Sequence, residues 1–226
     1  MAKINGVDQD KLNKIRKDKI NKQKEELKAL RQKNTHSVQE EHEHKNDVLD
    51  IYNNLSVEEK AVFKHELEKR KLRESYINYL KYVYPEFKVT KFHALLSNIC
   101  QSVVEKIEHG QTIRLCISVP PQHGKSTCIT KTLPSWFVGR NPTRWAILTA
   151  YNADLAEEFS DNNRQLIKNH GAEIFGIETN TSQDNKTLFQ VHKIGEKEVP
   201  SSDSGIMGVG ISGGITGHGG SLIIVD

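Results

Sequence analysis

The chain has 226 residues, 36% of them hydrophobic, a mean hydropathy of -0.60 and a formal net charge of +3. That length holds one α/β domain plus appendages, and so polar an average leaves part of the chain outside any core. No apolar run approaches eighteen residues and no signal peptide is evident, which excludes a helical membrane protein; three widely spaced cysteines (Cys100, Cys116 and Cys128) exclude a disulfide framework. The expectation is a soluble protein of a reducing, intracellular compartment.

Charge is unevenly spread. Residues 1–33 carry eleven Lys/Arg, including Lys11, Lys14, Arg16 and Lys17, against five acids. Residues 34–50 reverse the sign with Glu40, Glu41, Glu43, Asp47 and Asp50 against Lys45. Such blocks form solvated helix or disorder, or a basic arm that touches nucleic acid or a partner protein. Leu12, Ile15, Ile20, Leu27 and Leu30 make too thin a stripe for a coiled coil. His36, His42 and His44 lie in the acidic stretch and read as a solvated tail rather than a zinc site.

Ser56 and Glu59 then form a capping box, each side chain satisfying an orphan N–H at a helix start. That helix is predicted to run on to Pro85, with Tyr76, Leu80 and Val83 on one face. A second helix covers 91–108 and stops at Gly110. IRLCISV (113–119), apolar and β-branched, reads as a buried strand, followed by a helix from Lys125 to about Phe137. WAILTA (145–150) is a second buried strand. Residues 153–169 form an amphipathic helix with Leu155, Phe159, Leu166 and Ile167 inward, closed by Gly171. TLFQVHKI (187–194) alternates like a strand. Eight of the fifteen glycines fall between Gly205 and Gly220, as a flexible loop or a structured turn, before LIIVD (222–226). Strands alternating with helices predict an α/β fold with a parallel sheet and flanking crossover helices. The expected divisions are a helical or disordered extension (1–55), a helical lead-in (56–110) and a nucleotide-binding core (111–226).

Between the strand at 113–119 and the next helix lies SVPPQHGKST (118–127). A phosphate-binding loop reads G-x-x-x-x-G-K-[ST]. Gly124, Lys125 and Ser126 supply its second half, but Val119 stands where the first glycine belongs. Context decides whether the match is real. The loop follows a predicted strand and opens a helix, so backbone N–H groups and the positive end of the helix dipole face an anion. Lys125 is placed for the β- and γ-phosphates and Ser126 for Mg²⁺. LIIVD ends a downstream apolar strand on Asp226, a carboxylate for the same metal. Pro120 and Pro121 preset φ at the loop's entry, and Gly124 carries the freedom the backbone needs beside a phosphate.

PPQHGKS resembles the Walker A loop of the large terminase subunits of tailed bacteriophages. YINYLKYVYPEF, KFHALLSNICQSVVEKIEHGQTIRLCISV, LPSWFVGRNPTRWAILTAYNADLAEEFSDNNRQLI and GGITGHGGSLIIVD are similar to further blocks of that family, in the same order, from about residue 76 to 226. The resemblance implies a P-loop NTPase fold and an ATP- and Mg²⁺-dependent motor. Such a motor moves double-stranded viral DNA through a portal protein into a procapsid in the host bacterial cytoplasm. It works as a homo-oligomeric ring with a small terminase subunit.

On this resemblance Pro121, Gln122, His123, Gly124, Lys125, Ser126 and Thr127 hold the triphosphate. Lys125 and Asp226 are catalytic, and Ser126 and Asp226 ligate the metal. His93, beside Phe92, lies where the family places adenine contacts; a half-buried helix histidine is the alternative. Gln122 occupies a position where most of the branch carries arginine and cannot supply that charge, so Arg140, Arg144 and Arg164 become candidates for it, or surface and packing arginines. Thr216 and Gly217 are placed nearest the active face, with His218 exposed.

In the family a second acid follows the Walker B aspartate, then a coupling motif and a nuclease domain. A chain ending at Asp226 is therefore expected to bind nucleotide weakly and turn it over poorly. The competing readings are a DNA- or partner-binding fragment with a vestigial nucleotide site, and another P-loop enzyme such as a helicase-like DNA translocase.

Overall fold

The computed structural model describes residues 52–196, 204–211, 213 and 219–226. The charged arm, the acidic block with its histidines, and Thr216, Gly217 and His218 lie outside the described residues. Two units are distinguished, one ending at Phe63 and one running from Lys64 to Asp226. In the first, the chain enters helix α1 (Val57–Glu74) through the expected capping box: Ser56 N–H donates to Glu59 Oε2 at 2.8 Å and Glu59 N–H to Ser56 Oγ at 3.2 Å. The Tyr52 and Phe63 rings pack there with centroids 5.7 Å apart.

In the second unit the chain continues through α2 (Tyr76–Val83), α3 (Lys91–Glu108), α4 (Lys125–Cys128), α5 (Leu133–Arg140), β1 (Trp145–Ala150) and α6 (Ala153–Phe175). β2 (Ile177–Asp184), β3 (Leu188–Lys193), β4 (Gly205–Gly210) and β5 (Leu222–Val225) complete it. The five strands form one sheet in the order β2-β3-β4-β1-β5. β1 is central and parallel to both β4 and β5. All six of its residues are buried, as its unbroken apolar run requires.

The sheet is mixed rather than parallel, which corrects the expectation from sequence. β2 pairs antiparallel with β3, and β3 with β4. Chain length explains the first pairing. Three residues separate Asp184 from Leu188, and a parallel connection needs a dozen or more. Asn185 shapes the turn, its Oδ1 accepting from Leu188 N–H at 2.7 Å and Thr187 Oγ1 at 2.9 Å. β2, sequence IETNTSQD, escaped the sequence reading because only Ile177 and Asn180 are buried along it.

Four further boundaries differ. The helix predicted from Ser56 to Pro85 breaks at Ser75, which adopts φ -124° and ψ 110°. The break turns Tyr76, Tyr79 and Leu80 into the core, while Gln101 Oε1 accepts the Tyr76 N–H at 3.0 Å. The helix predicted over 125–137 breaks into α4 and α5 because Pro134 has no N–H to give the Thr130 carbonyl; Asn163 Nδ2 donates to that carbonyl instead, at 2.9 Å. α6 continues past Gly171 to Gly176, whose φ of +69° supplies the left-handed cap. IRLCISV (113–119) is not a strand: it has no ladder partner among the described residues, and Leu115 is 51% exposed. A cleft of about 720 Å³, lined by Ile113, Leu115 and Ile117 on one side and Ile223, Val225 and Asp226 on the other, lies along it.

The glycine-rich stretch begins as a strand. β4 reads GIMGVG, and a Cβ on Gly208 would sit 2.3 Å from the Ala156 carbonyl oxygen. Glycine there lets α6 lie backbone-close on the sheet. Trp136, Phe137, Leu148, Phe159, Ile167 and Ile206 are among the core residues between these layers. Cys100 and Cys128 are buried and unbridged, and burial pushes their thiols up to about 12 and about 11.

Candidate functional site

The loop at Pro121–Gly124 is a turn with two left-handed residues, Gln122 (φ 63°) and Gly124 (φ 71°). A side chain at 124 would be strained by that φ and would also meet His93 Nε2 and Phe87 Cζ, each at 2.9 Å. Only glycine meets both demands. The chain then turns into α4, whose first N–H groups have no intrahelical acceptors.

Buried and part-buried bonds from α2, from α6 and within the turn itself anchor α4 and the turn that leads into α5. The Tyr76 hydroxyl donates to the Cys128 carbonyl. Thr132 Oγ1 donates to the Thr127 carbonyl at 2.6 Å. Asn163, fully buried on α6, donates to the Thr130 carbonyl and accepts from Ser135 N–H at 2.9 Å. With α2 and α6 holding it, the loop's position is set by the core.

Asp226 arrives from β5. Its N–H donates to the Thr149 carbonyl at 3.0 Å, continuing the pairing with β1. That register aims its carboxylate at α4. Lys125 Nζ donates to Oδ1; Ser126 Oγ and Thr130 Oγ1 donate to Oδ2 at 2.9 and 2.7 Å. Residues a hundred positions apart thus meet on one carboxylate. Burial pushes the Asp226 carboxyl up, but the bonds from Lys125, Thr130 and Ser126 and the Lys125 charge outweigh it and hold the group below its ordinary range.

Residues 116–226 match the family described as terminase large subunit, T4likevirus-type, N-terminal. This segment belongs to the terminase large-subunit family. The match takes in the loop, all five strands and Asp226; α1, α2 and α3 precede it. Comparison with curated proteins and with solved structures returns no match.

Within the terminase segment, Pro121, Gln122 and His123 are exposed at the loop's tip, and Lys125, Ser126 and Thr127 are half-buried. His93, on α3, hydrogen-bonds the loop itself, Nε2 to the His123 carbonyl at 3.0 Å. Phe92 is 37% exposed beside it. The three arginines considered as charge donors are engaged elsewhere. Arg140 grips both carboxylate oxygens of Glu108, Arg144 donates to the Ile107 carbonyl, and Arg164 pairs with Asp161 and Asp184.

Sequence reasoning missed Thr130. It follows Ser126 by four residues, and the Thr130 N–H to Ser126 carbonyl bond of 2.9 Å stacks the two hydroxyls on one face. That spacing was the available signal. No group of three or more His, Cys, Asp or Glu side chains suited to a metal occurs among the described residues. None of the described helices is long and apolar enough to cross a membrane.

Glu108 and Asp184 share the behaviour of Asp226. Burial raises each, and stronger bonds from Arg140 and Asn141, or from Lys168 and Arg164, bring each below its ordinary range. A carboxyl depressed on folding supplies stability that is fully present above its unfolded value, near about 4, and is lost as pH falls through the folded value. Denaturant midpoints should therefore be flat from pH 7 to about pH 5 and fall steeply below about pH 4. Equal midpoints at pH 7 and pH 3 would contradict this; Glu108→Gln should lower the pH 7 midpoint and flatten the acid limb.

Proposed function

We propose that this terminase segment binds ATP with Mg²⁺ and is the ATPase part of a motor that drives double-stranded viral DNA into a procapsid. The observation that carries the reading is the meeting of Lys125, Ser126 and Thr130 on Asp226 at the end of a G-K-S loop. The donor set suits the metal. Ser126 Oγ and an Asp226 oxygen lie 2.9 Å apart, both are hard oxygen ligands, and Mg²⁺ is commonly held by one or two carboxylates with substrate phosphates and water.

Gly124 to Thr127 offer backbone N–H groups to the phosphates. Lys125, paired with Asp226 in the structure, would turn its ammonium to the β- and γ-phosphate oxygens of a bound nucleotide. Ser126 and Asp226 would hold the Mg²⁺, and Thr130 keeps the carboxylate facing Ser126. When bound, the metal neutralises charge that develops on the transferred phosphoryl group. Gln122, neutral at the loop's tip, orients by hydrogen bonding without contributing charge. Double-stranded DNA, a portal protein, a small terminase subunit, neighbouring copies in a ring and the host cytoplasm complete the reading, on the strength of the family.

The test is a titration with a fluorescent ATP analogue, in Mg²⁺ and in EDTA. Affinity should rise in Mg²⁺ by about tenfold or more, as expected for a charge-assisted contact, and Asp226→Asn should abolish that rise. Affinity indifferent to Mg²⁺ in the unaltered chain would overturn the reading.

A further inference from the structure

His93 is the third residue of α3 and completes an unusual capping box. Its own N–H bonds the Thr90 side chain, while Nδ1 lies 3.1 Å from the Thr90 backbone nitrogen and 3.0 Å from Thr90 Oγ1, a hydroxyl that can turn its proton toward Nδ1 as well. A backbone N–H can only donate, so Nδ1 accepts and carries no proton. The neutral ring therefore bears its hydrogen on Nε2. That nitrogen is 3.0 Å from the His123 carbonyl oxygen, which can only accept. The two bonds agree on one tautomer. Phe87 and Phe92 flank the ring edge-on, with centroids 4.8 and 5.4 Å away.

The carbonyl that His93 holds belongs to the His123–Gly124 peptide. In a planar trans peptide the C=O and the following N–H point in opposite directions. Drawing the His123 oxygen toward α3 thus turns Gly124 N–H away from α3. The same Nε2 lies 2.9 Å from where a Gly124 Cβ would stand, so the ring also covers that glycine. His93 thus braces the one loop glycine whose backbone lies next to Lys125.

We infer that His93, as its Nε2–H tautomer, is a positioning residue of the phosphate loop, aiming Gly124 N–H at a triphosphate oxygen rather than reading the base. Both ring nitrogens are occupied by the chain itself, so a hydrogen bond to a nucleobase edge would have to break either the helix cap or the loop brace. The inference rests on the nucleotide reading above and adds to it a residue outside the segment that matches the family.

Three ligands separate the roles: ATP, GTP and inorganic tripolyphosphate, each titrated in Mg²⁺ by calorimetry. His93→Leu removes the donor and keeps bulk; His93→Gln keeps an acceptor for Thr90 and a donor for the loop. His93→Leu should weaken all three ligands by the same factor, about five- to tenfold for one hydrogen bond, and His93→Gln should recover most of the loss. A loss confined to ATP would overturn the inference in favour of base reading, and equal affinities of the Leu variant and the unaltered chain would overturn it outright. In the unaltered ¹⁵N-labelled chain, ring-nitrogen shifts should show a protonated Nε2 and bare Nδ1, with or without ATP; a protonated Nδ1 overturns it without recourse to any variant. Failure of the unaltered chain to bind any of the three would overturn the nucleotide reading and this inference together, whereas binding with unequal losses overturns this inference alone.

Discussion

Trp136→Ala should cost about 3–5 kcal/mol of stability, the range for deleting a buried aromatic side chain. Trp136 is fully buried on α5 and heads the core by volume. Its ring meets Tyr76 at 5.2 Å between centroids and carries the Arg140 guanidinium 4.7 Å above it. Its Nε1–H donates to the Leu72 carbonyl at 2.9 Å. Alanine would open a cavity, orphan that carbonyl and free Arg140 from one of its contacts. Domains of this size carry about 5–15 kcal/mol in total, so the loss is a large share. Denaturant unfolding followed by far-UV circular dichroism measures it. Trp136→Phe should cost less, about 1–3 kcal/mol, since it chiefly leaves the Leu72 carbonyl unpaired. A midpoint for the alanine variant within experimental scatter of the parent would show that this core does not depend on α5. The effect should reach the loop as well, because Tyr76, packed against Trp136 with its ring tilted, holds the Cys128 carbonyl.

Lys125→Ala should leave the fold nearly intact and remove most nucleotide binding. In the structure Lys125 pairs with Asp226, but its side chain is 35% exposed and solvent screens the pair. Its loss should therefore cost only about 0–1 kcal/mol, and Asp226 retains its bonds from Ser126 and Thr130. Binding is a different matter. Two charge-assisted bonds to phosphate oxygens are worth about 1.5–3 kcal/mol each, so affinity should fall by about 10²-fold or more. Thermal melting with and without Mg²⁺ and ATP separates the two effects. The parent should gain stability with ligand concentration, as binding to the folded state requires. The variant should melt within a few degrees of the parent and gain nothing from ligand. A variant that binds as the parent does would remove Lys125 from the site.

Much of this was legible in the residues. Helix 91–108, the strands at 145–150 and 222–225 and the Ser56–Glu59 cap stand where spacing and capping chemistry put them. Pro134 announced the break after α4, since a residue without an N–H cannot sit inside the predicted helix; the signal was present and went unread. So did Thr130, one turn past Ser126.

By its residues alone the chain determined the start of α1 at its Ser56 cap, the helix 91–108, the start of the helix at 153, the buried strand at 145–150, and which loop carries a lysine and a hydroxyl, because periodicity, caps and glycine conformations act over a few residues. The tertiary structure alone decided which strands pair, in which direction, that 113–119 pairs with none of the described residues, and that His93 braces the loop. An apolar run records that a segment is dry, not which neighbour supplies its hydrogen bonds, and that choice is made between segments distant in the chain. The Lys125–Asp226 meeting is of the same kind, set by the register of β5 on β1.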